Sequence, residues 1–294
     1  MCCSYDRRVE REGRLKAPDG RRLAYVERGD PEGRPVVLHH GTPASRLGNH
    51  PDPTVYEGIR FIAYDRPGYG LSDPRPGRVV ADAATDVGAL ADHLGLDRFA
   101  VFGISGGGPH ALACAALLPR RVGRVGVMVG AAPSDDPALD FMAGMADVNI
   151  TEFSAAREGE EALAAVLAPW VEQSSRDPDG VLDALAAELP EYDGEVLSRP
   201  EVRAELRKSI VESVRQGARG WIDDDLAFAA PWGFSLDDVH AEARLWQGEL
   251  DVLVPRAHGD YLAERLPDAT FELVPGAGHM LLDHWGETLA WLAR

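Results

Sequence analysis

The segment that most constrains this chain is Gly103-Ile104-Ser105-Gly106-Gly107, because of what flanks it. Arg98-Phe99-Ala100-Val101-Phe102 precedes it as a short apolar run of β-formers. Gly108-Pro109 and the helix formers His110 to Leu118 follow. The order reads as strand, tight turn, helix, with Ser105 on the turn. Glycines on both sides suit a strained serine backbone where strand and helix approach closely. Pro109 fits the first helical turn, where its missing N–H is no loss. A helix starting just beyond Ser105 also favours negative charge developing beside that hydroxyl. The plain alternative is a glycine-rich turn that merely contains a serine, so the rest of the chain must supply partners.

A serine hydroxyl acts as a nucleophile only with a base, a group that orients the base, and donors for an oxyanion. Arg244 to Gly248 reads as a strand, and Asp251 lies in the loop just beyond it. Ala269 to Val274 reads as another strand, ended by Pro275-Gly276-Ala277-Gly278, with His279 next. Ser105, Asp251 and His279 thus form a candidate nucleophile, orienter and base, in a chain order different from those of the two best-known serine protease folds. Ser134-Asp135-Asp136 follows the Val125 to Ala132 stretch and leaves a second candidate acid open.

Two further motifs complete a family pattern. Val36-Val37-Leu38-His39-His40-Gly41-Thr42-Pro43 is a strand ending in His-Gly-x-Pro, and Asp65-Arg66-Pro67-Gly68-Tyr69-Gly70-Leu71-Ser72 follows the next strand, Ile59 to Tyr64. With the Ser105 turn, these resemble the α/β-hydrolase superfamily over almost the whole chain, in its cap-bearing branch of esterases, lactonases, prolyl aminopeptidases and cofactor-free perhydrolases. The resemblance implies an oxyanion hole from the backbone N–H groups of Thr42 and Gly106, a structural role for the Asp65 loop, and local hydrogen bonding for His39 and His40. It favours Asp251 over Asp135 or Asp136, through the context Gly-x-x-Asp-x-x-Val-Pro. It also sets the chain apart from relatives whose turn carries aspartate, the haloalkane dehalogenases and epoxide hydrolases.

Alternating strand and helix patterns, opened by a hairpin around Pro18-Asp19-Gly20, predict an α/β architecture with a mostly parallel sheet. The resemblance makes this an eight-stranded sheet with helices on both faces and a helical cap inserted after strand 6. Strand signals vanish from about Pro133 to Trp232, where Glu160 to Glu172, Val181 to Leu189 and Glu201 to Gln216 read as helices. The expected division is a core over 1–132, a helical cap over 133–235 and the rest of the core over 236–294. Phe141, Trp170 and Trp221 are the aromatic residues of the insertion taken as candidates for a substrate pocket, although packing is the commoner fate of such side chains. Asp223-Asp224-Asp225 reads as a solvated face or a helix start, with the alternative that cap carboxylates hold a substrate amine, as a prolyl aminopeptidase requires.

A chain of 294 residues with 48 acidic and 30 basic side chains has a formal net charge of −18, which disfavours nucleic acid and anionic membranes as partners. No segment reaches the roughly 18 apolar residues of a membrane helix, and the start lacks a signal-peptide pattern, so the expected location is cytoplasmic. Cys114 reads as a small core residue, and Cys2 and Cys3 as an unreactive tail with no disulfide framework. Metal-ligand spacings and nucleotide-binding glycine patterns are missing, so neither a metal nor a cofactor is expected. The expected partner is a small-molecule substrate; oligomeric state has no sequence signal. The reading at this point is a serine hydrolase of a carboxylic ester or lactone of a small apolar molecule. A prolyl aminopeptidase or C–C hydrolase using the same residues is the alternative, as is a non-catalytic ligand receptor.

Overall fold

The computed structural model describes residues 10–294, which leaves Cys2 and Cys3 outside the described residues. Eight strands form one sheet: β1 (Arg11–Lys16), β2 (Arg22–Gly29), β3 (Arg34–His39), β4 (Ile59–Tyr64), β5 (Phe99–Ile104), β6 (Val122–Met128), β7 (Glu242–Gly248) and β8 (Ala269–Val274). Their spatial order is β1-β2-β4-β3-β5-β6-β7-β8. Only the β1–β2 and β2–β4 pairings are antiparallel. The hairpin joining β1 to β2 turns at Gly20, whose φ of +93° favours glycine.

The central strands are apolar on both faces because helices cover both. Val37, Ile62, Val101 and Val125 point to one face, under α1 (Ala83–Leu94), α2 (Gly107–Leu117) and α9 (Arg256–Arg265). Their neighbours Val36, Leu38, Phe61 and Phe102 point to the other, under Trp285, Leu289 and Trp291 of α10 (Trp285–Leu292). This period-two alternation fixes the register, since a one-residue slip would exchange the two cores. Leu90 on α1 is fully buried; Leu90→Ala is expected to cost about 2–5 kcal/mol.

Six helices intervene between β6 and β7: α3 (Asp147–Glu158), α4 (Glu160–Arg176), α5 (Pro178–Ala186), α6 (Glu191–Ser198), α7 (Pro200–Ser213) and α8 (Arg219–Phe228). The three helices expected from sequence correspond to α4, α5 and α7. The last of them stops at Ser213, before Gly217 with its φ of +77°. The sequence pattern did not mark α3, α6 and α8, whose buried faces are narrow or carry acidic residues.

Candidate active site

Ser105 stands between β5 and α2 with a φ of +52°, one of only two non-glycine residues with positive φ among the described residues. Its backbone N–H donates to the Met128 carbonyl at 2.9 Å, and its own carbonyl accepts from Gly108 N–H at 2.8 Å. The strain is held by these neighbours rather than relieved. A Cβ on Gly103 would run into the carbonyl oxygen of Gly107, and one on Gly107 into that of His39. Strand β5, strand β3 and helix α2 therefore touch backbone to backbone, which explains the glycines at both positions.

Gly41 and Thr42, just past β3, lie beside this turn: a Cβ on Gly41 would sit 3.6 Å from that of Ser105, and one on Gly106 would sit 2.9 Å from that of Thr42. Gly106 is also the residue from which α2 begins. Backbone N–H groups at such a position are unpaired within the helix and favour an anion.

His279 and Asp251 come together from the loops after β8 and β7. His279 Nδ1 donates to Asp251 Oδ2 at 2.9 Å. Gln247 Nε2 donates to the same oxygen at 3.1 Å, and the N–H groups of Leu253 and Val254 both donate to Oδ1 at 2.9 Å. Four donors make Asp251 an acceptor-only carboxylate, so the His279 proton sits on Nδ1 and Nε2 is left with its lone pair. Burial opposes charge on His279, but Asp251 outweighs it and holds the imidazole above its ordinary pKa. Asp136 is elsewhere, accepting from Tyr261 and Arg265.

The acidic run 223–225 corrects the expectation of a solvated face: all three side chains are buried. Asp224 is the hub of an ionic network behind the Thr42 loop. Its Oδ2 accepts from the Thr42 hydroxyl at 2.9 Å, the Tyr69 hydroxyl at 2.8 Å and Arg66 Nη2 at 2.6 Å. Its Oδ1 pairs with Arg78 at 2.6 Å and accepts from His110 Nε2 at 3.1 Å. Burial alone would raise the Asp224 pKa, yet Arg66 and Arg78 hold it well below the carboxylate range. His40 Nε2 accepts the Arg66 N–H at 3.2 Å, so its Nδ1 proton goes to the Gly41 carbonyl at 2.8 Å, and burial keeps the ring neutral. Asp225, in contrast, receives no hydrogen bond from an N–H or hydroxyl donor. Burial, then the neighbouring Glu152, push its carboxyl well upward.

Ser105, Thr42, Gly106 and His279 face one cavity of about 340 Å³. Trp170 and Trp221 line it, together with Glu152 and Asp225. Phe141 does not: it is 2% exposed and packs edge-on against Phe153 and His258, each with ring centroids 5.0 Å away. Asp193, on α6, was not singled out from sequence. It accepts the backbone N–H groups of His279 and Met280 at 2.9 and 2.8 Å. Its sequence signal is indirect, namely the glycine at 278, where a Cβ would overlap the Asp193 carboxylate. Among the described residues, no helix is long and apolar enough to cross a membrane.

A family model described as alpha/beta hydrolase fold matches residues 34–284. Residues of this chain are 38% identical over 112 positions to a proline iminopeptidase of Xanthomonas citri, a match covering 36% of this chain and only 35% of that protein. Among solved structures, an esterase from Thermogutta terrifontis superposes with a TM-score of 0.67 at 22% identity, covering 96% of this chain and 95% of the other. The enol-lactonase from Burkholderia xenovorans LB400 gives 0.69 at 21% identity, with 95% and 99% covered. At these identities the two structures share the fold.

Proposed function

Because the chain belongs to the alpha/beta hydrolase fold family, we propose that it is a hydrolase that cleaves a carboxylic ester or lactone of a small apolar molecule through an acyl-enzyme on Ser105. The observation that carries this reading is the Asp251–His279 hydrogen bond of 2.9 Å opening onto the same cavity as the strained Ser105. His279 Nε2 takes the hydroxyl proton as Ser105 Oγ attacks the carbonyl carbon. The carbonyl oxygen, now negative, is received by the N–H groups of Thr42 and Gly106. Collapse expels the alkoxide, which takes the proton from His279 and leaves as an alcohol. Water then repeats the sequence on the acyl group, releasing the acid and restoring Ser105. Asp251 stabilises the imidazolium that forms in each half. The helices between β6 and β7 serve as a cap in this reading, because they supply Trp170 and Trp221 to the cavity.

A panel of aryl esters, lactones, thioesters and prolyl amides, with mass spectrometry of the protein after an organophosphonate, tests the proposal. A single adduct on Ser105 and steady turnover of an ester or lactone are expected. Labelling elsewhere, or an active Ser105→Ala variant, would refute it. One observation favours a second reading, cleavage after an amino-terminal proline: half-buried Glu152 and buried Asp225, both on the cavity wall, offer a place for an amine. Prolyl amides turned over faster than esters, with KM raised by Glu152→Gln, would select that alternative.

A further inference from the structure

The candidate base is held at two points, and only one of them belongs to the usual nucleophile, base and orienter set. Asp251 holds the ring. Asp193 holds the main chain: its Oδ2 accepts the N–H of His279 at 2.9 Å and its Oδ1 the N–H of Met280 at 2.8 Å. The carboxylate is completely buried, and among the described residues no arginine, lysine or histidine pairs with it within 4.0 Å. Burying an unpaired carboxylate is costly unless hydrogen bonds satisfy it, and here the two donors are both N–H groups of the histidine loop. Gly278 permits the approach, since a Cβ there would overlap Asp193.

We propose that Asp193 is a positioning residue for His279: helix α6, which contributes Val196 to the cavity wall, fixes the height and the charge environment of the base. Asp251 alone leaves the imidazole free to swing about its hydrogen bond with the loop; the second clamp removes that freedom. Misplacement of a reacting group by about 1 Å costs on the order of a hundredfold in rate. The electrostatic consequence is separate from the geometric one. The carboxylates bearing on the imidazole are Asp251 and Asp193, and both favour its protonated form.

This inference rests on the proposed role of His279, so Ser105→Ala is run alongside. If Ser105→Ala keeps its activity, the catalytic reading itself fails; if it is inactive and Asp193 variants behave as wild type, only the present inference fails. Asp193→Asn keeps the shape, but its amide offers one acceptor to two N–H groups and carries no charge. The expected result with the best ester of the panel is a kcat lower by about ten- to a hundredfold with KM nearly unchanged. The acidic limb of kcat/KM against pH should also move down by about half a unit, because a charge favouring the imidazolium is gone. A simple packing role would lower thermal stability and leave that limb in place. Should Asp193→Asn fail to fold, Gly278→Ala tests the same contact from the other side by displacing the carboxylate while keeping its charge. A folded Asp193→Asn with an unmoved acidic limb, or a folded Gly278→Ala with wild-type kcat, would overturn the assignment.

Discussion

Replacing Asp251 by asparagine alters one heavy atom and reverses the logic of two of its four hydrogen bonds. In the native protein Oδ1 receives the N–H groups of Leu253 and Val254, both at 2.9 Å, and Oδ2 receives Gln247 Nε2 and His279 Nδ1 at 3.1 and 2.9 Å. The asparagine carbonyl satisfies two backbone donors best when it takes the Oδ1 place. Its NH2 group then faces His279, which must turn Nδ1 into an acceptor and carry its proton on Nε2. That tautomer offers Ser105 a donor where an acceptor is required. The expected loss is about four orders of magnitude in kcat, or about 5.5 kcal/mol of barrier. The new NH2 also confronts the Gln247 amide, so a stability loss of about 1–3 kcal/mol should accompany it unless Gln247 flips. Burst and steady-state release of nitrophenol from an aryl ester measure the rate; circular dichroism and thermal melting establish the fold. Asp136→Asn is the control, since that carboxylate serves Tyr261 and Arg265 and should change turnover by no more than about threefold. A folded Asp251→Asn retaining a tenth of the activity, or a larger loss from Asp136→Asn, would show that Asp251 does not set the tautomer.

Three other perturbations have outcomes fixed by the same geometry. Thr42→Ala keeps the backbone N–H but removes a donor to Asp224; since Arg66, Arg78, Tyr69 and His110 still serve that carboxylate, melting should report about 1 kcal/mol lost and turnover should fall no more than a few-fold. Gly103→Ala drives a methyl into the Gly107 carbonyl, and urea melts should show at least about 1–3 kcal/mol of destabilisation, against none if the turn yields freely. Burial pushes His110 and His258 down to about 4, so between that value and about 6.5 the unfolded chain binds protons that the folded one refuses. Their stabilisation is complete above about pH 6.5 and is lost as pH falls toward 4, each adding a slope of about 1.4 kcal/mol per pH unit, partly offset by the raised carboxyls of Asp225 and Glu152. In His258→Gln the pH dependence of unfolding free energy should flatten by that amount; an unchanged slope would mean that this histidine titrates normally.

What could be read from the sequence was what the chain states locally. Ser105 is surrounded by its own strand, glycines and helix, and His279 by its strand and turn, so a window of twenty residues identifies each. The sheet followed for the same reason, from apolar runs such as Val125 to Val129. The acidic run at 223–225 misled because the partners of Asp224, namely Arg66, Arg78 and His110, are more than a hundred residues away, and neither an arginine nor an aspartate announces whether it faces water or another charge. Phe141 and Trp170 are equally apolar in sequence, yet one lies under Phe153 and His258 while the other lines the cavity. Helix α6 holds several acidic residues, and only contact with the backbone after Gly278 distinguishes Asp193 among them.

Two of the buried aspartates of the inserted helices, Asp193 and Asp224, make that segment a poor candidate for exchange between relatives as a free-standing module. Asp224 on α8 reaches the Thr42 loop and Asp193 on α6 the His279 loop, so the stretch that shapes the cavity also grips both sides of it. A graft bringing new pocket residues without these two carboxylates would strand Arg66 and Arg78 in the interior and release the histidine loop. Transplanting selectivity into this scaffold therefore means changing side chains such as Trp170 and Trp221 on the existing helices, or moving a segment that carries both anchors at matching heights.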